Sequence, residues 1–362
     1  MFNRLNDLLY GFLSILILVS CNEKKVEDGQ LLRAEILMDS SPDSSYRILQ
    51  SVSLETLSKS EQMYYGLLLA EAADKKYLSL LPCDSLLNEA IRYYNGGIKR
   101  AKALMYKGRL QSRMKMHKEA MGSCFAALRE LGETDKEELR IKGMIYEDLG
   151  NLYSGQVLTE KSTEMFQKAG DCFARCACKA GLASVANDIG WNHLLQGNNQ
   201  LAREHMKKGL EFAFEQNDSA IIATIYHNLS CSYEEMDSTL FYGKQSLAFS
   251  KRLASKAAIV VGYAYLNQER SDSAEYYFRQ ALGDTLVETK ALALYGLKDV
   301  MDVEGKYQQA LRYLEDYSVA MDSIYFHKQS SETEQKIYEH EAEMKLYKDC
   351  LLYTSPSPRE TR

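Results

Sequence analysis

Three cysteines, Cys172, Cys176 and Cys178, fall within seven residues. Thiolates at i and i+4 share a helix face, so Cys172 and Cys176 could aim at one metal ion. Zinc requires four ligands, and Cys178 lies far around the helix from that pair. The alternative is that these are small apolar residues suited to close helix packing, and that reading assigns no metal here. His340-Glu341 lacks the second histidine that a zinc-protease helix needs. Phosphate-cradling, dinucleotide-binding and nucleophile-elbow motifs are missing from the sequence. The six histidines are scattered over six separate stretches with no carboxylate pairing that sequence can fix. These readings predict a protein that is not an enzyme and takes no cofactor.

Whatever positions these side chains is helical. Only 4 of 362 residues are proline, and none lies between Leu86 and Tyr353. Proline costs about 3 kcal/mol in a helix interior, so a long proline-free tract suits a chain built from helices. The formal net charge of −6 comes without a basic cluster, which argues against nucleic-acid binding by this region. The 25 tyrosines suit the seams between helices, with stacking on a sugar or nucleotide as the alternative.

One cysteine carries a different chemistry. Leu8 to Val19 are twelve uncharged residues, followed by Ser20 and Cys21. As a helix they would span about 18 Å, short of the ~30 Å bilayer core, as in a signal-peptide apolar region. Leu18-Val19-Ser20-Cys21 resembles the lipobox of bacterial lipoproteins. The resemblance implies cleavage before Cys21, acylation of its thiol, and attachment to a membrane through the acyl chains. The implied address is the bacterial cell envelope, at the outer membrane or the periplasmic face. Asn22 after the cysteine favours the outer membrane under enteric-type sorting.

The body repeats. Gly108 is followed by Ala120, Cys124 and Ala127; Gly150 by Tyr153, Ser162, Phe166 and Ala169; Gly190 by His193, Ala202, Met206 and Gly209. Gly262 with Tyr265, Ala274, Phe278 and Ala281 is the cleanest copy, and Leu297-Lys298 opens another with Ala310 and Leu314 in register. Leu229-Ser230 with Tyr233 opens one whose second half is shortened around Ser238 to Leu247. This spacing resembles the tetratricopeptide repeat, although the signature tryptophan is mostly replaced and the closing proline is absent. The resemblance implies an all-α fold, a right-handed α-solenoid of antiparallel helix pairs forming a tetratricopeptide-like superhelix. It implies a concave groove, lined by the first helix of each pair, that takes a protein or peptide ligand. Helical offsets place Lys102, Arg109, Asn151, Asn187, Trp191, His227, Tyr263 and Tyr295 on or near that wall, with solvated or core roles as the alternative.

The expected organisation is a signal peptide over 1–20, an acylated linker with short helices over 21–59 and repeats over 60–325. A polar helix follows over 326–349, either a coiled coil on Ile337, Met344 and Leu351 or a solvated cap. Residues 350–362 break the pattern and are expected to be a non-native tail. Asp84 and Ser85 are expected N-caps of the helix leading into the repeats. The function expected is a lipid-anchored, non-catalytic scaffold for protein–protein contacts in the envelope. The alternative is the envelope-side sensor portion of a regulator whose membrane helix and output domain lie beyond residue 349.

Overall fold

The structure, a computed structural model, describes residues 29–249 and 253–326; the expectations for Cys21, Ile337, Met344 and the tail lie outside the described residues. Every regular element among the described residues is helical. Helix α1 covers residues 29–37, followed by α2 (Pro42–Gln50), α3 (Lys59–Lys75), α4 (Asp84–Tyr93), α5 (Gly97–Arg113), α6 (His117–Arg129) and α7 (Lys136–Ser154). Then come α8 (Thr159–Arg175), α9 (Lys179–Leu195), α10 (Asn199–Glu215), α11 (Ser219–Cys231), α12 (Met236–Phe249), α13 (Ala254–Asn267), α14 (Ser271–Ala281), α15 (Val287–Val303) and α16 over residues 307–326. The chain divides into two compact units, Met1–Asp148 and Leu149–Arg362.

Local chemistry sets the ends. Ser58 and Glu61 form a reciprocal capping box on α3. The Asp218 carboxylate accepts from the amides of Ala220 and Ile221 at 3.0 and 3.1 Å, starting α11. Asp84 and Ser85 do not cap α4. A 3₁₀ turn over Leu81–Cys83 runs directly into the helix, so Asp84 is already helical, and its carboxylate accepts from Lys107 and Asn88 instead. Between paired helices the chain turns through left-handed backbone at Lys115, Val157, Gly197, Glu269 and Gly305. Glycine adopts that conformation without a Cβ penalty, whereas the β-branched Val157 holds it under strain.

Within each unit the repeat positions are where helices touch. In Met1–Asp148, Ala120, Cys124 and Ala127 of α6 are fully buried. Upstream, Leu31 and Ala34 of α1 and Leu49 of α2 share a core with Tyr65, Leu68 and Ala72 of α3. In Leu149–Arg362, Ser162, Ala169, Ala202, Ala274, Ala281 and Ala310 are buried, as are Phe166, Met206 and Phe278. The shortened pair α11–α12 keeps the scheme with Thr239 and Ser246 at its small positions. Ser162 stands where other pairs have alanine because its hydroxyl donates to the Gly150 carbonyl at 2.9 Å and accepts from Asn192.

Candidate binding surface on the first helices

All eight residues singled out by helical offset lie on first helices. Lys102 and Arg109 are on α5, Asn151 on α7, Asn187 and Trp191 on α9, His227 on α11, Tyr263 on α13 and Tyr295 on α15.

In the first unit, α5 stands between α3 and α7 in a ladder of charge. Lys102 lies 3.2 Å from Glu137 and 3.9 Å from Glu71. Arg109 donates from Nε to both Asp148 oxygens, at 2.8 and 3.0 Å, and from a terminal nitrogen to Asp74. Arg113 also reaches Asp74. Burial opposes the Arg109 charge, but Asp148 and Asp74 outweigh it and hold the guanidinium protonated beyond its ordinary range. Burial in turn pushes the Asp148 carboxyl up, against the pull of Arg109. Lys102 and Arg109 are therefore engaged by neighbouring helices, and a ligand would have to compete for them.

In the second unit the first helices present amides and rings instead. Asn228 of α11 donates to the Asn187 carboxamide oxygen at 2.8 Å, and Asn187 donates to Asp188 at 3.2 Å. This joins α9 to α11 through residues 41 apart, beside His227. The His227 Nδ1 is buried with no hydrogen-bond partner among the described residues. Its pKa falls to about 4 through burial, with Lys256 adding to the effect. Trp191 is half-buried against the core of α9 to α11. Tyr263 packs edge-on to Phe278 at 4.9 Å. Its hydroxyl is pushed up to about 12, by burial first and then by Asp299 and Tyr295. Tyr295 lies 5.2 Å from the Tyr317 ring, with Lys298 over its face at 5.4 Å. Asn151 is exposed on the last turn of α7.

Asp148 and Asn228 complete these clusters and were not among the residues selected by offset. In three pairs the ring three places after the glycine or serine position has a second-helix partner of its own kind. His193 stacks on His205 (5.3 Å), Tyr233 on Tyr242 (5.2 Å) and Tyr265 on Tyr277 (5.6 Å). Arg203 and Arg270 cover Tyr233 and Tyr265 at 4.7 and 4.6 Å. This geometry is seam filling. The three cysteines spread over a helix junction: Cys172 is buried within α8, Cys176 caps its C-terminus and Cys178 precedes α9.

No protein-family model matches this sequence, and no curated protein matches it significantly. Solved structures do. A Rap protein complexed with competence and sporulation factor aligns at a TM-score of 0.58 and 16% identity over 90% of this chain and 99% of that one. The apo form of RapI gives 0.59 and 16% over 89% and 99%. A signal-transduction ATPase with a tetratricopeptide repeat sensor, from Pyrococcus horikoshii, gives 0.63 and 13% over 85% of this chain and 49% of that one. At these identities the likeness establishes the fold, an all-α solenoid of tetratricopeptide-like helix pairs.

Proposed function

We propose that this chain is a lipid-anchored, non-catalytic scaffold of the cell envelope that holds a peptide segment of a partner protein along its first helices. The observation that carries the reading is the Asn187–Asn228 amide pair, flanked by Trp191 and His227 on the same two helices. Asn187 is buried, so the half-buried Asn228, held by it, is the member that keeps donor and acceptor positions for a peptide backbone. Trp191 supplies an apolar anchor of the type that dominates binding energy. The solved Rap structure, similar in fold, contains a bound factor, which agrees with ligand capture by this architecture.

Peptides selected from a random library against residues 21–349 provide the test. Trp191→Ala is expected to cost about 2 kcal/mol of binding, and Asn228→Ala about 1 kcal/mol, with helical circular dichroism retained. Unchanged affinity in both variants would remove this wall from the function.

The reading attaches the chain through Cys21; among the described residues no helix is long and apolar enough to cross a membrane. Cys21→Ala is expected to abolish labelling by radioactive palmitate and to shift the protein from the membrane to the soluble fraction. Continued sedimentation with membranes would refute the anchor. A second reading, the sensor portion of a longer regulator, is favoured by the fold shared with the sensor-bearing ATPase. A genomic reading frame that stops near residue 350 would exclude it.

A further inference from the structure

One exposed face of α16 is apolar at heptad spacing and is left uncovered among the described residues. Ala310, Tyr313, Tyr317, Ala320 and Ile324 form the buried or half-buried side of the helix. About 100° around the helix, Tyr307, Leu311, Leu314, Ser318, Met321 and Tyr325 follow a 4-3-4-3-4 spacing, and every one is exposed. That spacing is the heptad seam of packed helices, here about 27 Å long. The equivalent places elsewhere in the unit show what it lacks. Phe166, Met206 and Phe278 hold the position of Leu314 and are fully buried, whereas Leu314 is 39% exposed. Seven residues on, Phe173 is buried against Gly181 of the following first helix, whereas Met321 is 40% exposed.

The charge around the seam decides what can cover it. Residues 287–326 carry seven acidic side chains against four basic ones, and two of those four, Lys298 and Lys306, are already ion-paired. Glu315 and Asp322, one place after Leu314 and Met321, border one edge of the seam. A second copy of α16 packed antiparallel would bring its own Glu315 and Asp322 against this acidic edge, and a parallel copy would meet it with Ala310, Tyr317 and Ile324, none of them basic. Residues 327–349 hold four lysines against six acidic residues and are no better matched.

We propose that this face docks an amphipathic helix of a partner protein, apolar at heptad spacing and lysine- or arginine-rich along the flank that meets Glu315 and Asp322. The probe is a labelled 21-residue helical peptide with Leu at a and d and Lys at e and g, titrated against the chain from residue 21. Saturable one-to-one binding is expected. Leu311→Glu and Leu314→Glu, both at exposed positions, should each weaken it by roughly tenfold or more. These substitutions add negative charge, so non-specific attraction of the cationic probe would instead strengthen. A probe with Glu at e and g should bind at least roughly tenfold more weakly. Equal binding of the two probes, or no effect of either substitution, would overturn the proposal. It also fails if Leu314→Glu converts a dimer to a monomer, since a second copy then covers the face. Tighter probe binding after removal of residues 327–362 would likewise assign the face to the chain's own segment.

Discussion

Phe278→Ala is expected to destabilise the Leu149–Arg362 unit by about 3–5 kcal/mol, the cost of emptying a fully buried aromatic site. The ring is 0% exposed and lies between two glycines, Gly262 of its own pair and Gly296 of the next. A Cβ placed on Gly262 would sit 2.7 Å from it. Phe278 therefore fills the contact between α13, α14 and α15, and Tyr263 packs on its edge. In a stack of repeats stability is close to a sum of nearest-neighbour terms, so the loss should concentrate in α13 to α16. Urea unfolding followed by circular dichroism gives the magnitude, and hydrogen exchange gives the location. A loss under about 1 kcal/mol, or deprotection as strong in α8 as in α14, would contradict this packing. The converse substitution, Gly262→Ala, overfills the site and should cost about 1–3 kcal/mol. Combined with Phe278→Leu it should cost less than the two separate losses added, because the smaller side chain leaves room for the new methyl.

That site was readable in the sequence because it depends on residue size at fixed offsets. Gly262, Ala274, Phe278 and Ala281 alternate small and large as close helix contacts require, and the structure buries each of them. The start of α4 was misread for a local reason. Asp84 follows a proline-containing turn, which looks like a cap in sequence, but the turn is 3₁₀ and leaves Asp84 inside the helix.

The first-helix surface was legible only as a set of positions. Counting helical offsets from each glycine puts a residue on a face but does not say what meets that face. Asn187 finds Asn228 across two first helices whose separation is set by the intervening helix α10. Repeats here are 42, 40, 40 and 32 residues apart, so no single register predicts that contact. The same limit applies to Ser162, whose departure from alanine makes sense only once Asn192 is seen to donate to it at 2.9 Å. Lys102 and Arg109 show the limit most clearly. Offset places both on the wall, and the carboxylates that engage them come from α3 and α7, about thirty to forty residues away in either direction.

Arg109→Met should therefore act on stability more than on any ligand, costing about 3 kcal/mol at pH 7 by leaving a buried charge without its partner. Asp74 retains Arg113, so the orphaned group is Asp148. The pH dependence separates this cause from lost packing. Burial already raises the Asp148 carboxyl in the folded chain, and removing Arg109 takes away the main influence holding it down. A carboxyl whose folded pKa exceeds its unfolded value adds stability when protonated and loses it as pH rises through the folded pKa. The deficit of Arg109→Met should then be largest at neutral pH and narrow as pH falls toward 5. A packing defect would cost the same at both. Adding Asp148→Asn to Arg109→Met removes the orphaned charge and should recover at least half of the loss, measured by urea unfolding at pH 7. If the double variant is no more stable than the single one, the ladder is not held by charge pairing.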